Sequence, residues 1–200
     1  VARAIAALVP YAESVDNPAS LAFNVLSMAW AETDRKAEGI AFFKKLLNNR
    51  PDWIEIAESL AGLQEKAGDT PTARGTLVEA MERPNLRRED RERLLISLAM
   101  LMERTGESEK ALGHAQEVLA LNPDSPDALN FIGYTWADMG KNLKEAEEMV
   151  TRALLYKPDS GYVTDSLGWV YHRQGNYEKA LQTLLRADRL APDEPEINEH

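Results

Sequence analysis

GYVTDSLGWVYHRQGNYEKALQTLLRADRLAPDE, residues 161–194, carries the plan of the chain. Its first half sets Leu167 beside a small residue, Gly168, and brings a large one, Tyr171, three residues later. Its second half runs Ala180, Leu184, Ala187. Steps of three and four residues put such side chains on one helical face. Between the halves stands Gly175, suited to a left-handed helix C-cap. Behind the second half stands Pro192, which cannot continue a helix. The stretch predicts two helices joined by a short turn.

Moving toward the N-terminus in steps of about 34 residues finds the same pattern again. The leading place holds Leu26, Leu60, Leu98, Ile132 and Leu167, followed by Ser27, Ala61, Ala99, Gly133 and Gly168. The large place holds Trp30, Met102, Trp136 and Tyr171, with Gln64 as the exception. The second helix carries Gly39, Ala73, Ala111, Ala146 and Ala180, with Phe43, Leu77, Ala115, Val150 and Leu184 four residues on. Leu46, Ala80, Val118, Ala153 and Ala187 complete that stripe. Gly68, Gly106, Gly140 and Gly175 mark the turns, with Asp34 in the first unit, and Pro51, Pro123, Pro158 and Pro192 close four units. Antiparallel helices approach to about 8–10 Å, and contact-residue size sets the distance. Small residues permit the crossing and large ones fill its flanks. One pair cannot bury both its faces, so neighbours must stack.

The units expected are 20–53, 54–91, 92–125, 126–160 and 161–194. Residues 1–19 read as the tail of a preceding unit and 195–200 as the start of another, so the chain reads as a piece of a longer one. Unit 126–160 has one extra residue near Lys141-Asn142. Unit 54–91 lacks its closing proline and has extra residues around Pro84-Asn85-Leu86-Arg87, which predicts an irregular joint near 83–88.

With 44% hydrophobic and 28% charged residues, the chain can build a core. A net charge of -10 repels a phosphate backbone, which argues against nucleic acid and favours basic peptides or basic protein faces. The absence of cysteine excludes disulfides, thiolate metal sites and Cys nucleophiles, and leaves the compartment open. No apolar run approaches the ~20 residues of a membrane helix. His114, His172 and His200 have no second ligand at metal spacing, and no phosphate loop or nucleophile elbow is present. The expectation is a chain without cofactor or catalytic site. The mixed run Arg87 to Arg93 reads as a solvated, self-paired helix start.

Five such units in register resemble the tetratricopeptide repeat family. That resemblance implies an all-α fold: a right-handed superhelical solenoid of antiparallel helix pairs. It also implies a groove lined by the first helices, at the second, fifth, ninth, twelfth and thirteenth places of each unit. Carried over, the partner-binding candidates are Asn24, Met28, Met100, Asn130, Tyr134, Tyr162, Asp165, Trp169, His172 and Arg173. Leu21, Glu55, Glu58, Glu65, Arg93, Ile96, Arg104, Asp127 and Asp138 fall on the same places. Tyr and Trp are favoured anchors at interfaces because they bury much area and keep a polar end. Asn offers both donor and acceptor to a peptide backbone. The other reading of Tyr134 and Trp169 is packing between adjacent helices. Trp30 and Trp136 occupy the internal place and are expected in the core.

The implied function is a non-catalytic scaffold or adaptor that binds a peptide or helix of a partner protein; self-association is a further expectation. The alternative is a recruiting region of a larger enzyme such as a glycosyltransferase. The carboxylate-clamp subtype is disfavoured, because Asn24/Met28, Glu58/Gly62, Ile96/Met100, Asn130/Tyr134 and Asp165/Trp169 lack its basic residues. The asparagine ladder of O-GlcNAc-transferase arrays is missing too: its place holds Val25, Ser59, Ser97, Phe131 and Ser166. Residues 126–200 are similar to the C-terminal repeats of bacterial envelope lipoproteins of this family. That likeness implies a periplasmic adaptor for an enzyme, lipid-anchored through a cysteine outside this stretch; a cytoplasmic location is the alternative.

Overall fold

The computed structural model describes residues 1–17 and 21–191; the start of a further repeat expected at 195–200 lies outside them. All its elements are α-helices. They are α1 (Ala2–Ser14), α2 (Ala22–Ala31), α3 (Lys36–Asn49), α4 (Ile54–Lys66), α5 (Thr70–Met81) and α6 (Arg88–Arg104). Then follow α7 (Ser108–Leu121), α8 (Pro126–Asp138), α9 (Leu143–Tyr156), α10 (Gly161–Arg173) and α11 (Tyr177–Leu190).

Local chemistry explains the breaks. Gly68, Gly106, Gly140 and Gly175 all take φ between 67 and 84°, which costs a residue without Cβ little. In each turn the next residue's N–H reaches back to the carbonyl four places before the glycine, on Gln64, Met102, Trp136 or Tyr171. The large place of the pattern thus also supplies the acceptor that closes the turn. Before Pro51, Pro123 and Pro158 the backbone leaves the helical region, at Arg50, Asn122 and Lys157. Asp69, Ser125, Ser160 and Asn176 cap helix starts through their side chains.

The departures from the repeat are absorbed by left-handed asparagines. Asn142 (φ 48°) takes up the extra residue before α9, and Asn85 (φ 63°) turns the link from α5 to α6. Because that link ends at Arg87, α6 begins ahead of the boundary drawn at 92.

The chain forms two compact units, Val1–Leu101 and Met102–His200, divided within α6. In the first, α1 packs on α2, α4 packs on α2, α3 and α5, and Phe23, Leu26, Trp30, Phe43 and Leu63 centre the core. Trp30, Phe42 and Phe43 cluster with ring centroids 5.2 to 5.7 Å apart. Arg50 ties α3 to α1 by donating to the carbonyls of Ala12 and Glu13 at 3.0 and 2.6 Å. In the second, α8 pairs with α9, α10 pairs with α11, and the first helices α8 and α10 lie against each other. Leu129, Ala146, Val150, Ala153, Val163 and Val170 centre its core. The small residues act as the pattern requires. A Cβ on Gly133 would stand 2.5 Å from Val150 Cγ2, and one on Gly168 would stand 2.6 Å from Leu184 Cδ2.

Candidate protein-binding face

In the second unit, Asn130, Tyr134 and Asp138 follow one another at helical spacing on α8. Tyr162, Asp165, Trp169, His172 and Arg173 occupy the neighbouring α10. Tyr162 and His172 are exposed; Tyr134, Trp169 and Arg173 are half-buried; Asp165 and Asn130 are sealed, at 5% and 1% exposure. Trp169 packs as the second reading of it expects. One side packs against the core, while His172 stacks on it at 5.0 Å between centroids and Arg173 lies over the ring at 5.5 Å.

The electrostatics are acidic. Burial, reinforced by Asp138, Glu103, Tyr162 and Asp165, pushes the Tyr134 phenol up to about 12. Glu103 at the end of α6 is also raised, first by burial and then by Asp138, with Arg104 opposing. Arg173 offsets part of this charge: it donates to the Asp138 carbonyl at 2.7 Å and stands 3.7 Å from its carboxylate. Under this rim, neither amide atom of Asn130 has a hydrogen-bond partner. A buried polar group left unpaired costs about 1–3 kcal/mol.

The first unit holds the remaining candidates. Asn24 accepts a hydrogen bond from Ser59 at 3.1 Å, so part of its amide serves helix packing. Met28 is 69% exposed and Met100 38%. Beside them Arg93 bridges Glu55 at 2.8 Å and Glu58 at 2.6 Å, and Ser97 donates to Glu58 at 2.8 Å. Burial nevertheless keeps the Glu58 carboxyl above its ordinary value, with Arg93 opposing. Of the charged run at the start of α6, Arg87 pairs with Asp90 and Arg88 with Glu92 within the run, but Asp90 is buried and Arg93 pairs outside it, so the run is neither wholly solvated nor wholly self-paired. The residue that sequence reasoning missed is Glu103. It sits at the twelfth place of its unit, which the positional rule includes and composition gave no reason to single out. Of the two expected core tryptophans, Trp30 is buried and Trp136 is half-buried against the second core.

No helix among the described residues is long and apolar enough to cross a membrane. No group of three His, Cys, Asp or Glu side chains among them is placed to hold a metal ion.

The family profile described as "Tetratricopeptide repeat" matches residues 96–162 and 138–195. The TPR repeat-containing protein PA4667 of Pseudomonas aeruginosa is 35% identical over 100 residues, which is 50% of this chain and 17% of that protein. The human protein O-mannosyl-transferase TMTC1 is 31% identical over 104 residues, 52% of this chain and 12% of that protein. The match thus spans less than a fifth of either relative. Among solved structures, MamA superposes with TM-score 0.55 at 20% identity over 87% of this chain and 94% of its own. YrrB, described as a TPR protein with an unusual peptide-binding site, gives 0.54 at 18% identity over 96% of both chains. The Cut9–Hcn1 hetero-tetramer gives 0.70 at 15% identity, over 96% of this chain and 37% of that one. These likenesses show the fold: an all-α solenoid of helix pairs. With five helix pairs among the described residues and a repeat profile across its C-terminal half, the chain belongs to the tetratricopeptide repeat family.

Proposed function

We propose that the chain is a non-catalytic scaffold whose first-helix face in the second unit binds a peptide or helix of a partner protein. The observation that carries this is the composition of that face. Half-buried Tyr134 and Trp169 and exposed Tyr162 and His172 stand over the sealed, unpaired amide of Asn130, with the carboxylates of Glu103 and Asp138 beside Tyr134. Aromatics that are only half covered have area left to bury, which is where binding energy concentrates. The carboxylates favour a basic segment, because they would steer and pair with Lys or Arg on approach. Asn24, Met28 and Met100 extend the proposal to the first unit, the exposed methionines as adaptable apolar contacts.

The test is a crosslinked pull-down with wild type beside Tyr134→Ala/Trp169→Ala, read by mass spectrometry. Circular dichroism on the double mutant checks folding, because Trp169 also packs on the core. A partner held by wild type and lost by the folded mutant supports the site. A partner held equally by both removes it.

The bacterial-envelope reading, with the array on the periplasmic side and a lipid anchor outside this stretch, rests on the resemblance of residues 126–200 to envelope lipoproteins of the family. The likeness to TMTC1 supports the other reading, a recruiting region of a larger transferase. The full-length gene separates them: a lipid-attachment signal upstream favours the first, a catalytic domain the second.

A further inference from the structure

The link between α5 and α6 is where the chain departs most from its own repeat, and there it opens a cleft. Pro84 cannot extend α5, and left-handed Asn85 turns the chain outward before α6 starts at Arg88. The cleft has a volume of about 420 Å³ and is lined by Asp52, Arg83, Asn85, Leu86, Arg87 and Asp90. Two of its four charged groups satisfy each other. The Arg87 guanidinium grips the Asp90 carboxylate through Nε at 2.7 Å and Nη2 at 2.8 Å. Arg83 has no such arrangement. Its Nη1 is sealed from solvent and makes no hydrogen bond. Burial lowers its pKa, and Asp52 and Glu79 only oppose that shift.

A guanidinium with one sealed N–H group left unsatisfied, and no hydrogen-bonded acceptor on the others, gains from an anion that pairs with Nε and Nη2. Its fork matches two coplanar oxygens. The walls choose between anions. Asp52 and Asp90 repel a phosphate dianion more than a single negative charge. Pro84 and Leu86 supply an apolar edge for methylene groups.

We propose that this cleft receives an Asp or Glu side chain of a partner protein, with Arg83 as its anchor. It lies in the first compact unit, uses none of the residues of the Tyr134–Trp169 face, and can fail without that face failing. The predicted contact is a bidentate pair to Arg83, with the side-chain stem against Leu86.

The experiment is an NMR titration of the chain, following the Arg83 Nε–H signal and the backbone amides of residues 85–87. The probe is acetyl-Gly-Glu-Gly-amide at matched ionic strength, with the Gln tripeptide as control and inorganic phosphate as a second arm. Saturable shifts with the Glu peptide, weakened about tenfold or more in Arg83→Gln, are expected. Arg83→Lys keeps the charge and loses the fork, so it should bind less tightly than wild type and guards against a folding defect in the Gln variant. Equal shifts in Arg83→Gln, equal shifts with the Gln tripeptide, or no saturation would overturn the site. Phosphate binding as tight as the Glu peptide would overturn its assignment to a carboxylate.

Discussion

Replacing Gly133 by alanine should loosen the α8–α9 pair, although alanine is the better helix former. The added Cβ would stand 2.5 Å from Val150 Cγ2 and 2.8 Å from the Ala146 backbone oxygen. Carbon contacts prefer about 3.5–4.0 Å, so the helices must part by roughly 1 Å. Val150 cannot rotate away freely, because a β-branched side chain in a helix holds one rotamer, and Ala146 offers only backbone. Overpacking of this kind costs about 1–3 kcal/mol. Alanine returns about 1 kcal/mol in helix propensity. The balance is a loss of about 0–2 kcal/mol, and contacts as short as 2.5 and 2.8 Å, one of them to backbone, place it toward the upper end. Gly113 on α7 supplies the contrast: a Cβ there meets nothing within 4 Å. Gly113→Ala should therefore gain about 0.5–1 kcal/mol. Urea denaturation by far-UV circular dichroism measures both. Amide exchange in α8 and α9 locates the loss, since repeat arrays need not unfold as one step. Val150→Ala in the Gly133→Ala background should recover part of it. A Gly133→Ala protein as stable as wild type would refute the crossing argument.

Asn130→Leu should stabilise the free chain by about 1 kcal/mol, because it removes two unpaired buried amide atoms; a lower urea midpoint would show that the amide is satisfied in solution. Tyr134 gives an alkaline signature. Its folded pKa, about 12, lies above the ordinary value of 10.0, so its contribution is intact below pH 10 and is lost as pH rises toward 12. Tyr134→Phe should flatten that part of the stability curve, and an unchanged slope would assign it to other groups. Arg93→Gln should cost about 1 kcal/mol at neutral pH, because it removes the ion pairs to Glu55 and Glu58. Because the folded Glu58 pKa is raised, that cost should shrink as pH falls through it. A loss independent of pH would point to packing by the arginine stem instead.

The helix pairs were legible in the sequence because their determinants are local and recur. The leucine, small and large residues return in register, and the turn glycines all take the left-handed conformation their spacing requires. Gly133 and Gly168 could be read as crossing points because the same place holds Ser27, Ala61 and Ala99 elsewhere. The proposed face was legible only as a set of candidate positions. It was not legible as an environment. Nothing in the residue names distinguishes sealed Asn130 from Asn24, which shares its place and hydrogen-bonds to Ser59. The role of Glu103 beside Tyr134 depends on where the end of α6 lies in space.

The sequence alone determined the all-α class, the helix-pair unit and the side chains that face inward, because periodicity and turn chemistry act over a few residues. It also showed where the chain departs from its own repeat, at Lys141-Asn142 and Pro84–Arg87. Tertiary structure alone decided which polar groups lost their water, which charges found partners, and that the second irregularity opens a cleft around Arg83. Those properties depend on neighbours brought together from other helices. Burial, and with it the energy of an unpaired amide or guanidinium, exists only once those helices have packed.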